Sequence, residues 1–349
     1  MSLKLAQLKH WAFLTGQPNA MTRSQLLDLL LSNLPKQCVR MERSKKVLSI
    51  DMGIRNLAFC TVERGAKDGV LTVANWRKMD LMRRLVQVDG TGEESESDGI
   101  GSVKEENVEK DTKKADLFVP SNLSRVAFPV CKEFLALQPD QILIERQRFR
   151  SGGATMVQEW TLRVNMLESI LWAVLETLRN QSGSAEGFPT THAVPPARVA
   201  NFWTGLSEGH LRPASDFLFQ KADKGNHEPS WSARQKDSKN EAVVNMKKAK
   251  VEVVKNWVAG RGDVKLEFAG EGDETAEVFR ENTRTPGRRK KDKNEAVVGK
   301  LDDLADCLLQ GVAWLRWEEN WWEIAKLWEE SKGFYGYGPT AKAKKHEEG

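Results

Sequence analysis

Two short apolar runs, Val47-Leu48-Ser49-Ile50 and Gln141-Ile142-Leu143-Ile144, each stop at a single carboxylate, Asp51 and Glu145. Runs of this length rich in Ile, Leu and Val read as strands. After the first, Met52 to Asn56 supplies a glycine-containing turn and Leu57-Ala58-Phe59-Cys60-Thr61-Val62 returns, so a hairpin is expected. Before the second, Leu123, Val126, Ala127, Val130, Phe134 and Leu137 mark a helix that Pro139 ends. After it, Leu167, Ile170, Leu171, Val174, Leu175 and Leu178 recur at spacings of three and four, which predicts a long helix packed on the sheet. A closing helix is expected over Leu301 to Glu330, with Trp314, Trp317, Trp321 and Trp328 on one broad face that reads as core or subunit interface. Strands first, then strand and helix alternating, then a final helix, give an α/β fold: a mixed sheet flanked by helices.

Outside that frame the chain alternates between order and polar filler. Two apolar bursts, Leu5, Leu8 and Trp11, then Leu26, Leu27, Leu30, Leu31 and Leu34, predict a small helical module over residues 1–36, and a basic linker leads on to the body at 46–330. Residues 87–116 and 260–298 read as disordered insertions, with 270–293 the loosest stretch, and 331–349 as a flexible tail. The hexapeptide Lys-Asn-Glu-Ala-Val-Val occurs at 239–244 and again at 293–298, ahead of a basic and an acidic helix respectively.

The formal charge of +4 is unevenly spread. Residues 89–116 carry ten acidic and four basic side chains, a net of −6, which leaves +10 on the remainder. A basic body favours a polyanionic partner. No run of eighteen apolar residues occurs, so a membrane partner is not expected. The four cysteines form no CxxC pair and read as reduced core residues rather than a zinc site or a disulfide frame. No phosphate-cradling GxxxxGK[ST] or GxGxxG is present, which lowers nucleotide-binding readings, and the five histidines make no HExxH or triad-like pattern.

The acidic residues carry the chemistry. Besides Asp51 and Glu145, the closing helix begins Leu301-Asp302-Asp303-Leu304-Ala305-Asp306. Asp303 and Asp306 lie three apart and Asp302 and Asp306 four apart, so either pair projects from one helix face. Carboxylates gathered in this way repel one another unless cations neutralise them, and hard oxygen donors suit Mg²⁺ or Mn²⁺. Two such ions per site activate a water and stabilise the leaving oxygen in phosphodiester hydrolysis, so the set reads as a metal-dependent nuclease site. Taken singly, an Asp after a strand is a turn former and an Asp near a helix start is a cap.

At these residues the sequence resembles the fungal mitochondrial Holliday-junction resolvases, relatives of bacterial RuvC within the RNase H-like superfamily. The matching stretches are Ser49 to Asn56, Glu145 to Gly152, Glu159 to Glu168, and Asp302 to Asp306 followed by Trp314-Leu315-Arg316-Trp317. The resemblance implies an RNase H-like domain working as a homodimer, because paired nicks across a four-way junction need two sites related by a twofold axis. It implies Asp51, Glu145, Asp306 and one of Asp302 and Asp303 as catalytic metal ligands. It further implies branched DNA as substrate, products with 5′-phosphate and 3′-hydroxyl ends, and a mitochondrial location. The first twenty-seven residues, with no Asp or Glu, are faintly like a presequence, although they also suit a helix pair. The helical module resembles the SAP-like motif of the same family, with Gly16 in its turn and Lys4, Lys9 and Arg23 as backbone contacts to DNA.

Arg146, Gln147, Arg148 and Arg150 directly follow Glu145 and are candidates to hold the phosphates next to the cut. Lys247, Lys248 and Lys250 form a second candidate phosphate track. Two other readings stand beside the resolvase: an RNase H-like nuclease acting on RNA–DNA hybrids, and a noncatalytic architectural protein that binds junctions.

Overall fold

The apolar run at 47–50 forms β1 (Lys45–Asp51), and the turn after it brings the chain back as β2 (Leu57–Arg64), antiparallel to β1 with Ser49 opposite Cys60. The expected hairpin is therefore present. The computed structural model describes residues 3–35, 44–65, 69–88, 118–147, 159–183, 187–204, 214, 239–284 and 291–335. The chain divides into two compact units: Arg43–Ala197 with Ala242–Gly311, and Met1–Glu42 with Arg198–Glu241 and Val312–Gly349.

The larger unit holds a six-stranded mixed sheet. β3 (Leu71–Met79) extends the hairpin, β4 (Gln141–Glu145) and β5 (Thr190–Val194) add in parallel on the β1 side, and β6 (Leu266–Phe268) pairs in parallel with β3, giving the order β5-β4-β1-β2-β3-β6. Successive side chains of a strand point to opposite faces. On one face Leu48, Ile50, Phe59, Ile142 and Ile144 meet Val126, Val130 and Phe134 of α4 (Pro120–Ala136) and Leu167 and Leu171 of α5 (Glu159–Gln181). These residues are almost wholly buried, at about 1.5–3 kcal/mol for each large side chain. The short helix α3 (Leu81–Val88) closes that layer through Leu81 and Leu85.

Ser49 sits on the other face, where α9 (Lys291–Tyr335) lies close. A methyl group on Gly311 would come within 3.0 Å of Val62 Cγ2 and 3.2 Å of Ser49 Cβ, so the helix approaches the strands as only a glycine permits. Next to it Gln310 Nε2 donates to Ser49 Oγ (3.0 Å), the Ile50 carbonyl (3.2 Å) and the Leu143 carbonyl (3.4 Å). Trp76 Nε1 donates to the Leu304 carbonyl at 2.9 Å. Cys60, Cys131 and Cys307 are buried free thiols, and Cys38 lies outside the described residues.

The region 260–298 departs from the expected disordered insertion. β6 and α8 (Glu271–Arg284) are both formed there, and α9 starts at Lys291 rather than Leu301. Few apolar residues are needed, because the partner surface comes from far away in sequence. Trp76 of β3 stacks on Phe268 at 6.0 Å and on Phe279 at 5.0 Å, and Phe279 is fully buried. Of that region, 285–290 lie outside the described residues, as do 89–116 of the other expected insertion and 336–349 of the expected tail. Lys247, Lys248 and Lys250 lie on α7 (Lys239–Val258), and both copies of the repeated hexapeptide lie within helices, in α7 and α9. One further helix, α6 (Pro196–Thr204), follows β5.

In the smaller unit α1 (Leu5–Leu14) and α2 (Arg23–Asn33) form the expected helix pair. Thr22 caps α2, with Gln25 closing the capping box. The pair is not a free-standing module at 1–36, nor does the body run unbroken over 46–330. Leu8, Trp11, Leu26 and Leu30 share their core with Ala214 and Ile324, and Trp321 and Trp328 are packed against it. A short two-helix hairpin has two apolar faces to bury and too little surface of its own, so the end of α9 covers it. Gly16 turns the chain at φ +66°, where a side chain would also run into the Trp317 indole.

Candidate active site

Strand period and register set the first two carboxylates. Ile50 pairs with Ile144 across the parallel β1–β4 ladder, so Asp51 and Glu145 follow side by side at the ends of neighbouring strands. Each lies two residues beyond a residue that faces α9, Ser49 in one strand and Leu143 in the other, and therefore on that same face. The anchoring of Gln310 to Ser49, Ile50 and Leu143 brings the preceding turns of α9, with Asp302, Asp303 and Asp306, to the same place.

The electrostatics record how close the acids come. Burial pushes the Asp51 carboxyl well above its ordinary range, and a hydrogen bond with Glu145 and the charges of Glu145, Asp306 and Asp303 push the same way. Burial also raises Asp306, to about 7, with Asp302 and Glu145 adding to it and Lys250 opposing. Three lysines supply the local positive charge. Lys250 Nζ lies 2.5 Å from Asp306 and 3.4 Å from Asp302, Lys247 Nζ lies 2.6 Å from Asp302, and Lys78 Nζ of β3 lies 2.6 Å from Asp303. Burial alone would lower Lys250, but the Asp306 and Asp302 charges outweigh it and hold the ammonium above its usual value.

These groups border a cavity of about 320 Å³ lined by Asp51, Asp302, Asp303, Asp306, Lys247 and Lys250, with Met52 to Asn56 and Trp160 completing the wall. Among the described residues no three His, Cys, Asp or Glu side chains stand close enough to cage an ion as they are. The donor set nevertheless fits a hard divalent cation: every donor is a carboxylate, burial and neighbouring carboxylates hold Asp51 and Asp306 above their usual range, and the lysine ammoniums fill the role of counter-ion.

The remaining expected residues divide. Gln147 is at the site, its Nε2 donating to Glu145 Oε2 at 3.2 Å and its backbone N–H to Glu168 Oε2 at 3.0 Å. Arg146 is exposed beside it, whereas Arg148 and Arg150 lie outside the described residues. Lys247 and Lys250, three apart, share the helix face toward the acids; Lys248 is exposed and a third of a turn away. Lys4, Lys9 and Arg23 belong to the smaller unit, where Arg23 Nε donates to the Leu3 carbonyl at 2.9 Å.

Sequence reasoning passed over Lys78, Arg55, Asn56, Trp160 and Glu168. Arg55, Asn56, Trp160 and Glu168 lie inside the stretches that carry the family resemblance, so a signal was there. Nothing local marks Lys78, which the β3 pairing alone brings to the acids.

The family described as mitochondrial resolvase Ydc2 / RNA splicing MRS1 matches residues 47–324. Among curated proteins, the chain is similar to "Cruciform cutting endonuclease 1, mitochondrial" of Schizosaccharomyces pombe, 26% identical over 319 residues, covering 91% of this chain and 93% of the relative. The protein of the same description from Saccharomyces cerevisiae is 25% identical over 344 residues, covering 93% of this chain and 84% of the relative. Among solved structures, that of the yeast mitochondrial Holliday junction resolvase Ydc2 superposes with a TM-score of 0.55 at 22% identity, covering 95% of this chain and 100% of the other, a likeness of fold.

Proposed function

The chain belongs to the mitochondrial resolvase Ydc2 / RNA splicing MRS1 family, and from that premise we propose that it is a structure-selective endonuclease that resolves four-way DNA junctions. The observation that carries the reading is the convergence of carboxylates from β1 and α9 on one cavity that α7 lines with lysines, with Glu145 of β4 hydrogen-bonded to Asp51 beside it. The cruciform-cutting activity named for both curated relatives supports the substrate class, and their mitochondrial description supports that location here.

In this reading Asp51, Glu145, Asp303 and Asp306 hold Mg²⁺, or Mn²⁺ in its place, with two ions per site. Bound there, the metal supplies an activated water and neutralises the charge on the leaving oxygen. Asp303 is favoured over Asp302 because its charge acts on Asp51, while Asp302 is turned to Lys247 and Lys250. Asp302 then anchors the lysine pair, which holds a phosphate next to the cut. The proton that burial and the neighbouring Glu145 favour on Asp51 must leave before Asp51 can act as an anionic ligand. Hydrolysis leaves 5′-phosphate and 3′-hydroxyl ends. Paired nicks call for a homodimer, and Leu162, exposed on α5, is an apolar contact available to a second copy. The helix pair α1–α2 serves in this reading as a SAP-like DNA-binding element.

The protein incubated with Mg²⁺ and a synthetic four-way junction is expected to give symmetric, ligatable nicks, and Asp51→Asn to bind the junction without cutting it. A preference for linear duplex or for RNA–DNA hybrid would overturn the reading. Because the family description also spans RNA splicing, a noncatalytic nucleic-acid-binding role is the second reading; it predicts the same binding with and without Mg²⁺ and no cleavage.

A further inference from the structure

Among the described tryptophans Trp160 alone is exposed: Trp11, Trp76, Trp203, Trp257 and Trp317 are buried and Trp172, Trp314, Trp321, Trp322 and Trp328 partly buried, whereas Trp160 is 45% exposed and lines the cavity of the acids and lysines. It stands at the start of α5. The Phe118 ring meets it edge-on at 5.8 Å, and the Arg163 guanidinium, ion-paired to Glu159 at 2.6 Å, lies 4.0 Å from the centre of the Phe118 ring. A large aromatic face left open to water on the wall of a charged cavity is available to stack on a ligand seated there.

Resting on the nuclease reading, we propose that Trp160 is the stacking platform for a nucleobase unstacked from the strand being cut. The occupant follows from the cavity. Its cations and its carboxylates, once these are metal-loaded, suit a phosphate, and a phosphate carries a base on the adjoining sugar. The volume of about 320 Å³ is on the scale of a single nucleotide unit. An aromatic face binds any base without reading its sequence. A base at a branch point has already lost part of its stack, so drawing it out costs less there than within a duplex. Trp160 thereby favours branched over linear DNA without contacting the branch as a shape. Leu162, two residues on, points to the opposite side of α5 and takes no part.

The test pairs protein and DNA changes. Cleavage rates of wild type, Trp160→Ala and Trp160→Phe are measured on an intact four-way junction and on junctions with an abasic nucleotide on either side of the cut. Junction affinity is measured in parallel by fluorescence anisotropy without divalent metal. On the intact junction Trp160→Ala is expected to lose about tenfold or more, from the worth of one base–aromatic stack, with Trp160→Phe retaining most of the rate. On one of the abasic junctions wild type should fall by a similar factor, and Trp160→Ala should fall no further. Equal losses from Trp160→Ala on intact and abasic junctions would overturn the proposal. So would an undiminished wild-type rate on both abasic junctions, a comparison that needs no variant to fold. A wild type that binds junctions but never cuts them refutes the nuclease reading instead, and the anisotropy series then decides the stacking proposal by itself.

Discussion

Replacing Asp306 by Asn should make the metal-free protein more stable at alkaline pH while destroying cleavage. Asp306 is buried among Asp302, Glu145 and Asp51, and despite Lys250 its carboxyl is raised from 3.8 to about 7. That displacement corresponds to about 4 kcal/mol. Because folded Asp306 holds its proton more tightly than the unfolded chain does, its contribution to stability is full below about pH 4 and is lost as the pH rises to about 7. Between pH 5 and pH 8, wild type in EDTA should therefore lose about 3 kcal/mol through this group alone, over the two pH units in which the unfolded carboxyl is ionised and the folded one is not. The Asn variant lacks that loss. Urea unfolding of both proteins in EDTA at intervals from pH 5 to pH 8 reads the difference, and added Mg²⁺ should restore wild type at pH 8 more than the variant. Parallel stability curves for the two proteins across that range would refute the reasoning, since they would mean that Asp306 ionises without opposition.

Two further outcomes separate the roles of neighbouring residues. Asp303→Asn should abolish cleavage and weaken Mn²⁺ binding, whereas Asp302→Asn should mainly weaken junction affinity by releasing Lys247 and Lys250; calorimetric Mn²⁺ titration and anisotropy tell the two apart, and equal loss of Mn²⁺ binding in both would reverse the assignment. Gln310→Leu leaves the Ser49, Ile50 and Leu143 acceptors buried without their donor, an expected cost of about 2–3 kcal/mol in urea unfolding, and a cost near zero would show that Gln310 does not tie α9 to the strands.

The central strands and their terminal carboxylates were legible because both signals are local: an apolar run, then one charge. The hairpin β1–β2, the strand β4 and the long helix α5 stand where periodicity placed them. The edge formed by β3, β6 and α8 was not legible. Its order depends on Trp76 meeting Phe268 and Phe279 from a distant part of the sequence, and a composition argument over 260–298 sees only the polar residues between them. The choice between Asp302 and Asp303 was hidden for a different reason. Adjacent helical residues differ by about 100° in direction, and the phase of α9 is set by Gly311 and Gln310 docking on β1 and β2, which no local pattern reports. Lys78 and the half-exposed Trp160 are likewise products of pairing and packing rather than of any motif.

The acids of the proposed site come from widely separated parts of the sequence. Asp51 leaves the ribosome early, Glu145 midway, and Asp303 and Asp306 only with the last helix. A nascent or C-terminally truncated chain can fold its early strands and still hold only part of the acidic set. Under the proposed ligand assignment, hydrolysis therefore waits for α9 to dock on the strands, whatever the earlier elements already bind.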